Sequence, residues 1–459
     1  MKVKLLSTLL LGAFFLSACA EKEGGNTTGT GDTPIAPIEN PNQIDLPNHN
    51  FEEGLEGWTV YRNSNATKTL IEVVDGQGVK NSKCLKVQQL PENGKCCAGV
   101  SRQITGLEPD EMYRLSVRVR YSDIPNGEGT GPVIFSPNSK QYWNSSKYLY
   151  GTELEKWTTV VVDFMSDDNG NATIVVALGY WQGGMANGGR STGTAYFDNL
   201  TLLKVTSELY TMESDHMRFY FEPSKVTISS SLIKNWCDNI DPMYEAMVDL
   251  MGAAPHEGRK LAIQTTRGIY SGYWALAGYP ILWSINYDAV EKTMSQIKDY
   301  DDMSFGLMHE IGHVFNIGNT SWNWNDEMFA NFRMHYALRQ TGLKVYQTNE
   351  NGESMTYVGG DVINLYRVSY EKTIATKVND NGIHYMLARL AEDIGWDTYK
   401  KTFNYLRQYG YSGSSNKYDK FVNFVNTLTK FYNETHGTNV NLMNKFSAAE
   451  IASIQKQLK

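Results

Sequence analysis

The chain has 459 residues, of which 50 are acidic and 42 basic, so its formal net charge is −8. An acidic chain of this kind offers no electrostatic basis for binding nucleic acid. The length allows at least two domains, and the 28 tyrosines and 10 tryptophans suit either a β-rich core or stacking on sugar rings.

The first residues have the form of a targeting segment. A basic start of four residues precedes an apolar stretch, Leu5–Leu16, that is too short to span a bilayer. It ends in Leu16-Ser17-Ala18-Cys19, which resembles the lipobox of bacterial lipoproteins. The resemblance implies a signal peptide at 1–18 and a lipid on Cys19 that anchors the protein in a membrane, expected to be the outer membrane with the chain exposed at the cell surface. The alternative is a soluble secreted protein cleaved nearby.

Residues 44–206 have the sequence pattern of a β-sandwich. A segment at 19–43, rich in Gly, Thr, Asn and Pro, predicts a flexible tether ahead of it. From 44 to 206, short alternating segments are separated by Gly and Asn turns, and few stretches are typical of a helix. The predicted strands include Lys68–Val74, Leu85–Gln89, Arg114–Tyr121, Thr158–Phe164 and Thr173–Gly179.

Both ends of this region resemble carbohydrate-binding modules. The run from Asn48 to Trp58 and the run from Ala195 to Leu200 are similar to the ends of jelly-roll modules with a galactose-binding-like fold. The resemblance implies a glycan ligand, and a structural calcium ion for which Glu52 and Asp198 are candidate ligands. Aromatic side chains can stack on sugars or pack in a core, and both roles stay open for Tyr142, Trp143, Tyr148, Tyr150, Tyr180 and Trp181.

Four cysteines remain beyond the lipobox. Outside the cytoplasm a disulfide between Cys84 and either Cys96 or Cys97 is permitted, although the spacing does not demand one. The spacings do not match a zinc finger. Cys237, on a predicted helix, is expected to be a buried thiol.

The region 207–459 changes from strands to helices along its length. Arg218–Glu222 and Lys260–Thr266 predict strands, Ser229–Met251 predicts a helix, and nearly everything beyond Ser304 is helical in pattern. This order predicts an α+β domain with a helical C-terminal subdomain and a cleft between two subdomains.

The run His309-Glu310-Ile311-Gly312-His313 carries the strongest chemical signal. On a helix, residues four apart lie on the same face, so both imidazoles can bind one metal ion. Glu310 between them is placed to take a proton from a metal-bound water. The apolar residues around the run predict a buried helix that begins at Asp301, Asp302 or Ser304 and ends near Gly318. We therefore predict a zinc hydrolase; the alternative is two surface histidines on an ordinary helix.

A catalytic zinc site needs a third protein ligand. The metzincin continuation would place Gly at 316 and His at 319, and this chain has Asn316 and Asn319 instead. We predict that the third ligand is Glu327, in the first turn of a second helix. Asp326 is the nearest alternative, and His335 is more typical of a core or supporting residue.

Three segments resemble the enhancin-like (family-sixty) zinc metallopeptidases. They are Ala277-Gly278-Tyr279-Pro280-Ile281, the His-Glu-Ile-Gly-His run, and Trp324-Asn325-Asp326-Glu327 with the Phe-Ala-Asn that follows Met328. The resemblance covers roughly 210–450. It implies a gluzincin fold, zinc held by His309, His313 and Glu327, Glu310 as general base, and proteolysis of heavily glycosylated proteins such as mucins.

The resemblance also implies a substrate-binding role for Gly278, Tyr279 and Pro280. In zincins an antiparallel edge strand pairs with the extended peptide, and a proline is tolerated on such an edge. The alternative is a loop of aromatic residues packed over the sheet. For a donor to the oxyanion, the sequence does not choose among Tyr366, Tyr370, His384 and Tyr385.

Two functions follow from this reading. The first is a surface-anchored zinc endopeptidase that its sandwich domain directs to glycoproteins. The second is a glycan-binding surface lipoprotein with an inactive peptidase-like domain. The complete set of predicted ligands and base favours the first.

Overall fold

The computed structural model describes residues 41–62, 69–90, 97–127, 129–137, 144–180, 189–268, 274–286 and 288–459. The chain divides into two units, Met1–Pro41 and Asn42–Lys459, and the second contains every element named below. Within the described ranges, no helix combines the length and the apolar character needed to cross a bilayer. Several predicted functional residues lie outside these ranges: Cys19, Cys96, Tyr142, Trp143 and Trp181.

The first half of the second unit consists of two antiparallel sheets. Its strands are β1 (Gln43–Ile44), β2 (Thr59–Arg62), β3 (Leu70–Val74), β4 (Cys84–Gln89), β5 (Ala98–Ile104), β6 (Met112–Ile124), β7 (Pro132–Phe135), β8 (Gly151–Met165), β9 (Ala172–Leu178) and β10 (Gly193–Lys204). One sheet has the order β3-β4-β10-β6-β8, with β1 beside β10, and the other has the order β2-β5-β9-β7.

Alternation of side chains explains why these strands form a sandwich. In β6, Leu115, Val117 and Val119 are buried while Arg118 between them is exposed. The inward residues of β6 meet those of the facing sheet, such as Val100 and Val176, in one apolar core. Strands with one apolar and one polar face pack in this way. The predicted N-terminal all-β jelly-roll sandwich is confirmed.

The second half begins with a mixed sheet. Its strands are β11 (Tyr210–Glu213), β12 (Met217–Phe221), β13 (Leu261–Thr266), β14 (Ala275–Leu276) and β15 (Ile281–Ser284), in the order β11-β12-β13-β15-β14. The three inner strands are parallel, and β11 and β14 run antiparallel at the two edges. Every residue of β13 is buried, as expected of a central parallel strand covered on both faces.

Helices follow the sheet. They are α1 (Ser230–Met251), α2 (Ala289–Tyr300), α3 (Phe305–Val314), α4 (Asp326–Thr341), α5 (Ile363–Thr373), α6 (Asp380–Ile394), α7 (Trp396–Tyr409), α8 (Lys417–His436) and α9 (Ala448–Leu458), with a hairpin of β16 (Lys344–Thr348) and β17 (Ser354–Val358) after α4. The helices pack around an aromatic cluster that includes Trp322, Phe329, Phe403 and Phe424. The predicted α+β domain with a helical C-terminal part is confirmed.

The domain boundaries themselves stay a prediction. The last sandwich strand ends at Lys204 and the next sheet begins at Tyr210, so the predicted boundary between residues 206 and 207 falls in the connection. The sandwich also contributes to the core of the second half, since Met112 and Met165 pack in the same apolar cluster as Phe219 and Ile263.

The cysteines of the described residues are reduced and buried. Cys84 and Cys237 are free thiols, and the permitted bridge between Cys84 and Cys97 does not form. Cys84 lies in β4 and Cys97 directly precedes β5, which places the two in different sheets. The Cys97 thiol instead donates a hydrogen bond to the carbonyl of Gly179, with Sγ and O 3.1 Å apart.

Candidate metal centre

The helix α3 carries the two histidines and the glutamate of the motif. Of the three predicted caps, Ser304 begins it, because its Oγ accepts from the backbone N–H of Leu307 at 3.4 Å. Leu307, Met308 and Ile311 are buried and seat the helix against the core. The helix ends at Val314, earlier than the predicted end near Gly318.

The helix α4 supplies the third predicted ligand. Asn325 caps it, since its Oδ1 accepts from the N–H of Met328 at 3.2 Å. Glu327 therefore lies in the first turn, where the helix dipole favours a carboxylate. Its side chain is 76% exposed, so the carboxylate faces the cleft rather than the core. The asparagine cap leaves the neighbouring Asp326 carboxylate available for another partner.

Three side chains converge on one point between these helices. The Nε2 atoms of His309 and His313 are 3.0 Å apart, and Oε2 of Glu327 lies 3.1 Å from the first and 3.4 Å from the second. Ligands about 2.0–2.1 Å from a tetrahedral zinc ion would be separated by about 3.3 Å, so the donor atoms have the spacing that zinc requires. Within the described residues, this trio is the only set of three or more His, Cys, Asp and Glu side chains close enough to hold one metal ion.

Each imidazole is oriented through its second nitrogen. The Nδ1–H of His309 donates to Oδ1 of Asn331 at 2.8 Å, and the Nδ1–H of His313 donates to Oδ2 of Asp326 at 2.6 Å. With Nδ1 protonated, the Nε2 lone pair of each ring faces the shared point. Burial and the neighbouring His313 lower the pKa of His309, which favours the neutral ring that a metal needs.

Asp326 is held in turn by a buried arginine. Arg333 is fully buried; its Nη1 donates to the carbonyl of Gly312 at 2.8 Å and to Oδ1 of Asp326 at 3.3 Å. Although burial alone lowers the pKa of His313, the hydrogen bond to Asp326 raises it overall. Asp326, the alternative third ligand, therefore lies beside His313 as its partner, with its Oδ1 occupied by Arg333 and by Asn323.

Glu310 lies beside this point but is more deeply buried. It is 8% exposed, and burial raises the pKa of its carboxyl to about 7, against the opposing influence of His313 and of the backbone N–H of Ala277. A cation at the shared point would favour the ionised carboxylate. A carboxyl in this position, beside the shared point, is placed to accept a proton and to release it again.

A cavity of about 470 Å³ opens next to His309. Trp274 and Phe305 give it aromatic walls, and Lys292 and Gln296 from α2 give it polar ones. Trp274 packs on Gly306 so closely that any larger residue at 306 would collide with its ring. The cavity therefore depends on a glycine three residues before the first histidine.

The edge of the sheet differs in detail from the sequence prediction. The edge strand β14 covers Ala275–Leu276, and Gly278, Tyr279 and Pro280 form the turn that leads into β15. The ring of Tyr279 is 5% exposed and packs against His256 and Arg259. The backbone N–H of Ala277, directly before this turn, borders Glu310, whereas the tyrosine side chain points into the protein. A substrate-binding role for these three residues stays a prediction.

The four candidates for the oxyanion donor lie in two separate aromatic contacts. Tyr366 and His384 are buried and their rings stack at 3.7 Å, with His335 bonded to His384 in the same cluster. Tyr370 donates to Glu450 at 2.9 Å, and its ring packs on Tyr385. His335 is therefore a core residue, as its spacing predicted.

The candidate residues of the sandwich also serve its packing. Asp198 is buried, with Oδ2 accepting from Val79 N–H and Oδ1 from Asn199 N–H, both at 2.7 Å, and Glu52 accepts from Lys83 N–H. These bonds occupy the carboxylates and lend no support to the predicted calcium ion.

The aromatic candidates for sugar stacking in the described residues are partly or wholly covered. Tyr180 is fully buried against Phe135, Tyr150 is half-buried with its hydroxyl bonded to the carbonyl of Gly129, and Tyr148 is half-buried. Tyr180 is thus a core residue rather than a platform for a sugar.

Two residues of the site were not predicted. Asn331 lies four residues after Glu327 and therefore on the same face of α4, so helical spacing contained the signal. Arg333 is an arginine in an otherwise apolar stretch, and its partner could be known only from the approach of α3.

Comparison with protein families yields two matches. The model described as Peptidase M60, enhancin and enhancin-like matches residues 195–435. A model described as Carbohydrate binding domain matches residues 46–183. No curated protein matches the chain significantly.

Several solved structures are similar to part or most of this chain. A carbohydrate-binding module in complex with β-1,4-galactotriose is 16% identical over 35% of this chain and 97% of that chain, with a TM-score of 0.24. A xylan-binding domain from Paenibacillus barcinonensis is 15% identical over 34% and 98%, with a TM-score of 0.24. A functionally unknown conserved protein mutant from Bacillus anthracis str. Ames is 13% identical over 87% and 78%, with a TM-score of 0.40. TM-scores this low give these likenesses no functional weight.

Proposed function

Because the chain belongs to the M60 family of enhancin and enhancin-like peptidases, we propose that it is a zinc-dependent metalloendopeptidase acting on glycosylated proteins. The observation that carries the proposal is the convergence of His309, His313 and Glu327 on one point beside the carboxyl of Glu310. Two neutral imidazoles, one carboxylate and an adjacent base are the set that a catalytic zinc site uses.

The side chains of the site have separate roles. His309, His313 and Glu327 would hold the zinc ion, which when bound supplies a Lewis acid and lowers the pKa of a coordinated water to about 7. Glu310 takes the proton of the attacking water and passes it to the leaving amine. Asn331 and Asp326 keep the two imidazoles in the required tautomer and orientation.

The substrate backbone is proposed to lie along β14. Among the strands of the described residues, β14 is at the edge of its sheet and pairs with β15 alone, so its other side can bond an extended peptide. The backbone N–H of Ala277, directly after β14, lies near Glu310, which brings a peptide on this edge close to the base. Main-chain hydrogen bonds of this kind bind a peptide without reading its side chains.

Two features of the chain support glycosylated proteins, mucins among them, as the substrate. The sandwich matches a carbohydrate-binding family, which supports glycan binding by this half of the chain. The cavity beside His309 combines aromatic walls with lysine and glutamine side chains, and such a mixture can stack on a sugar and bond its hydroxyls. We further propose that a lipid on Cys19 anchors the enzyme at the outer membrane, on the sequence resemblance alone.

Cleavage of a mucin-type glycoprotein by the protein lacking residues 1–19 tests the proposal. Glu310→Gln should retain zinc but lose activity by about three orders of magnitude or more, because the base is absent while the ligands remain. Removal of the metal with a chelator should abolish cleavage, and added zinc should restore it. Glu434→Gln, an exposed glutamate on α8, is the matched control and should cleave like the wild type.

The outcomes separate the parts of the proposal. Zinc in the wild-type protein with cleavage lost in Glu310→Gln would support the peptidase and the role of Glu310. Zinc without cleavage of any glycoprotein would contradict the proposed substrate. Wild-type protein that binds no zinc would contradict the enzyme and favour the glycan-binding lipoprotein with an inactive peptidase-like domain.

A further inference from the structure

A buried carboxylate joins the sandwich to the catalytic sheet. Asp163, on β8, is 2% exposed. Arg114 on β6 donates to both of its oxygens, at 2.6 and 3.0 Å, and Arg267, directly after β13, donates to Oδ2 at 3.0 Å. Arg267 also pairs with Glu222 at the end of β12. A buried charge of this kind is tolerated only while its partners remain in place, so the two halves are tied to a defined position.

One face of β13 also contacts the sandwich. Gln264 and Thr266 are two residues apart and therefore share a face of β13, and Gly268 follows the end of the strand by two residues. Gln264 Nε2 donates to the backbone carbonyl of Asp163, and Thr266 Oγ1 donates to Oδ1 of Asn144 at 2.9 Å. The carbonyl of Gly268 accepts from the hydroxyl of Ser145 at 3.2 Å. The side-chain donors of Gln264 and Thr266 thus bond to the sandwich, whereas Oε1 of Gln264 is buried without a hydrogen-bond partner among the described residues.

Hydrogen bonds continue from Arg267 to the wall of the cleft. Its carbonyl accepts from Asn286 Nδ2 at 2.9 Å, just beyond β15. Within β15, the N–H of Ser284 donates to the carbonyl of Trp274 at 2.8 Å. Trp274 packs on Gly306 and lines the cavity beside His309. Contacts therefore run from Asp163 in the sandwich to the aromatic wall next to the candidate metal centre.

A second contact supports the other end of β14. Asp110 of the sandwich accepts from Arg259 Nη1 at 3.0 and 2.8 Å. The guanidinium of Arg259 lies 5.1 Å from the ring centre of Tyr279, within the range of a cation–π contact. Tyr279 is two residues from Ala277, whose N–H borders Glu310.

We infer that the sandwich positions the substrate edge of the catalytic cleft, with Asp163 and Asp110 as positioning residues for the chain on either side of β14. The sandwich then contributes to the geometry of the peptidase cleft in addition to any binding of glycans. A peptide bonded to β14 would meet Glu310 in the correct place only while both contacts persist. The activity measurement below rests on the proposed function, whereas the exchange measurement does not.

Hydrogen exchange of the full-length protein tests the inference directly. Asp110→Arg and Arg259→Asp should each speed exchange of the backbone amides at 274–279 and at Ser284 by about tenfold, because the edge segment opens locally once it is released. The double variant should restore the wild-type rate, since its charges are complementary again. Glu72→Arg is the matched control: Glu72 pairs with Lys86 inside the sandwich, and its reversal should leave these amides unchanged.

Asp163→Asn provides a second test if the charge-reversal variants fail to fold. It keeps the shape of the side chain and removes the charge that binds Arg267, and it should speed exchange at the same amides. On a peptide substrate it should raise KM by about tenfold while kcat and zinc content stay within about twofold, since the base and ligands are untouched.

Two results would overturn the inference: exchange at 274–279 equal to that of Glu72→Arg in every folded variant, or a double variant as fast as the two single ones. If the wild type shows no peptidase activity, the exchange rates still decide the positioning role, and only the proposed function fails.

Discussion

The two histidines of the candidate metal centre differ in the residue that orients each of them. His309 donates to a neutral amide, Asn331, whereas His313 donates to a carboxylate, Asp326. Burial would raise the pKa of Asp326, but its bonds with His313 and Arg333 lower it overall, so the carboxylate stays charged. A charged partner makes an imidazole a stronger metal donor than a neutral one does. We therefore expect His313 to depend more on its partner than His309 does.

Asp326→Asn tests this dependence. The variant keeps the side-chain size but loses the negative charge beside His313, and we expect zinc affinity to fall by about 10- to 100-fold. Competition with a chromogenic chelator measures the affinity without any substrate. Asp301→Asn, which removes a carboxylate paired with Lys344 before α3, is the control and should bind zinc like the wild type. Equal affinities in the two variants would show that Asp326 does not support the site.

For single residues, the four-residue spacing of the histidines was a stronger predictor of the site than the order of the two neighbouring carboxylates. The positions of His309 and His313, four residues apart, placed their rings together on any helix. Asp326 and Glu327 are adjacent in the chain; the sequence favoured Glu327 as the third ligand and left Asp326 as the alternative. The choice depends on the cap: Asn325 begins the helix, so Glu327 turns toward both Nε2 atoms and Asp326 toward Nδ1 of His313.

The packing of α3 on α4 is the element that assembles the site. His309 and His313 lie on α3 and Glu327 lies on α4, so the distance between their side-chain atoms depends on how closely the two helices pack. Gly312, inside the motif, faces the backbone of Ala330, and a Cβ at 312 would lie 2.5 Å from its carbonyl oxygen. The glycine therefore serves the close approach of the helices.

Gly312→Ala should separate the two helices. Since the backbone of α4 cannot yield as a flexible side chain would, we expect a loss of about 1–3 kcal/mol in the free energy of unfolding, together with weaker zinc binding. Denaturant unfolding and chelator competition measure the two effects. Gly360→Ala is the matched control, because a Cβ there would make only an ordinary contact with Arg339 at 3.4 Å. Wild-type stability in Gly312→Ala would contradict this account of the helix contact.

Other elements were predicted with small errors at their ends. The helix predicted over Ser229–Met251 is observed over Ser230–Met251, and the strand predicted over Lys260–Thr266 over Leu261–Thr266. The edge strand was less predictable: it is two residues long and ends before Gly278, because the turn at Gly278–Pro280 directs Tyr279 into the protein. The partners of Tyr279, His256 and Arg259, are remote in sequence.

At the scale of the whole molecule, a buried histidine pair links stability to pH. His335 on α4 and His384 on α6 are both fully buried, with Nδ1 and Nε2 3.0 Å apart. Burial lowers the pKa of His335 to about 4, with Glu392 opposing and Arg339 adding to the shift, and burial and His335 lower the pKa of His384 well below its usual value. The folded state therefore binds fewer protons than the unfolded chain, so stability is full above pH 6.5 and falls as the pH is lowered toward 4.

His384→Gln should reduce this loss. Each histidine can cost up to about 1.4 kcal/mol per pH unit in this window, and glutamine can bond His335 without taking up a proton. Urea unfolding between pH 8 and pH 4.5, at constant zinc, should give a smaller decline for His384→Gln than for the wild type. His436→Gln, an exposed histidine on α8, should decline like the wild type. If the free energy of unfolding declined equally with pH in the wild type and in both variants, the buried histidine pair would be excluded as the source of the pH dependence.

Sequence patterns alone predicted the two-part architecture, the helical pair of histidines with Glu310 between them, and the family to which the second half of the chain belongs. These are local properties: alternation along a strand, a four-residue spacing on a helix, and short motifs. The packing of distant elements, by contrast, fixes that the Glu327 carboxylate lies beside the Nε2 atoms of both histidines, that Tyr180 and His384 are core residues, and that Asp163 of the sandwich reaches Arg267. Each of these depends on groups far apart in the chain, and a contact between such groups follows from how the elements pack and not from any pattern within one of them.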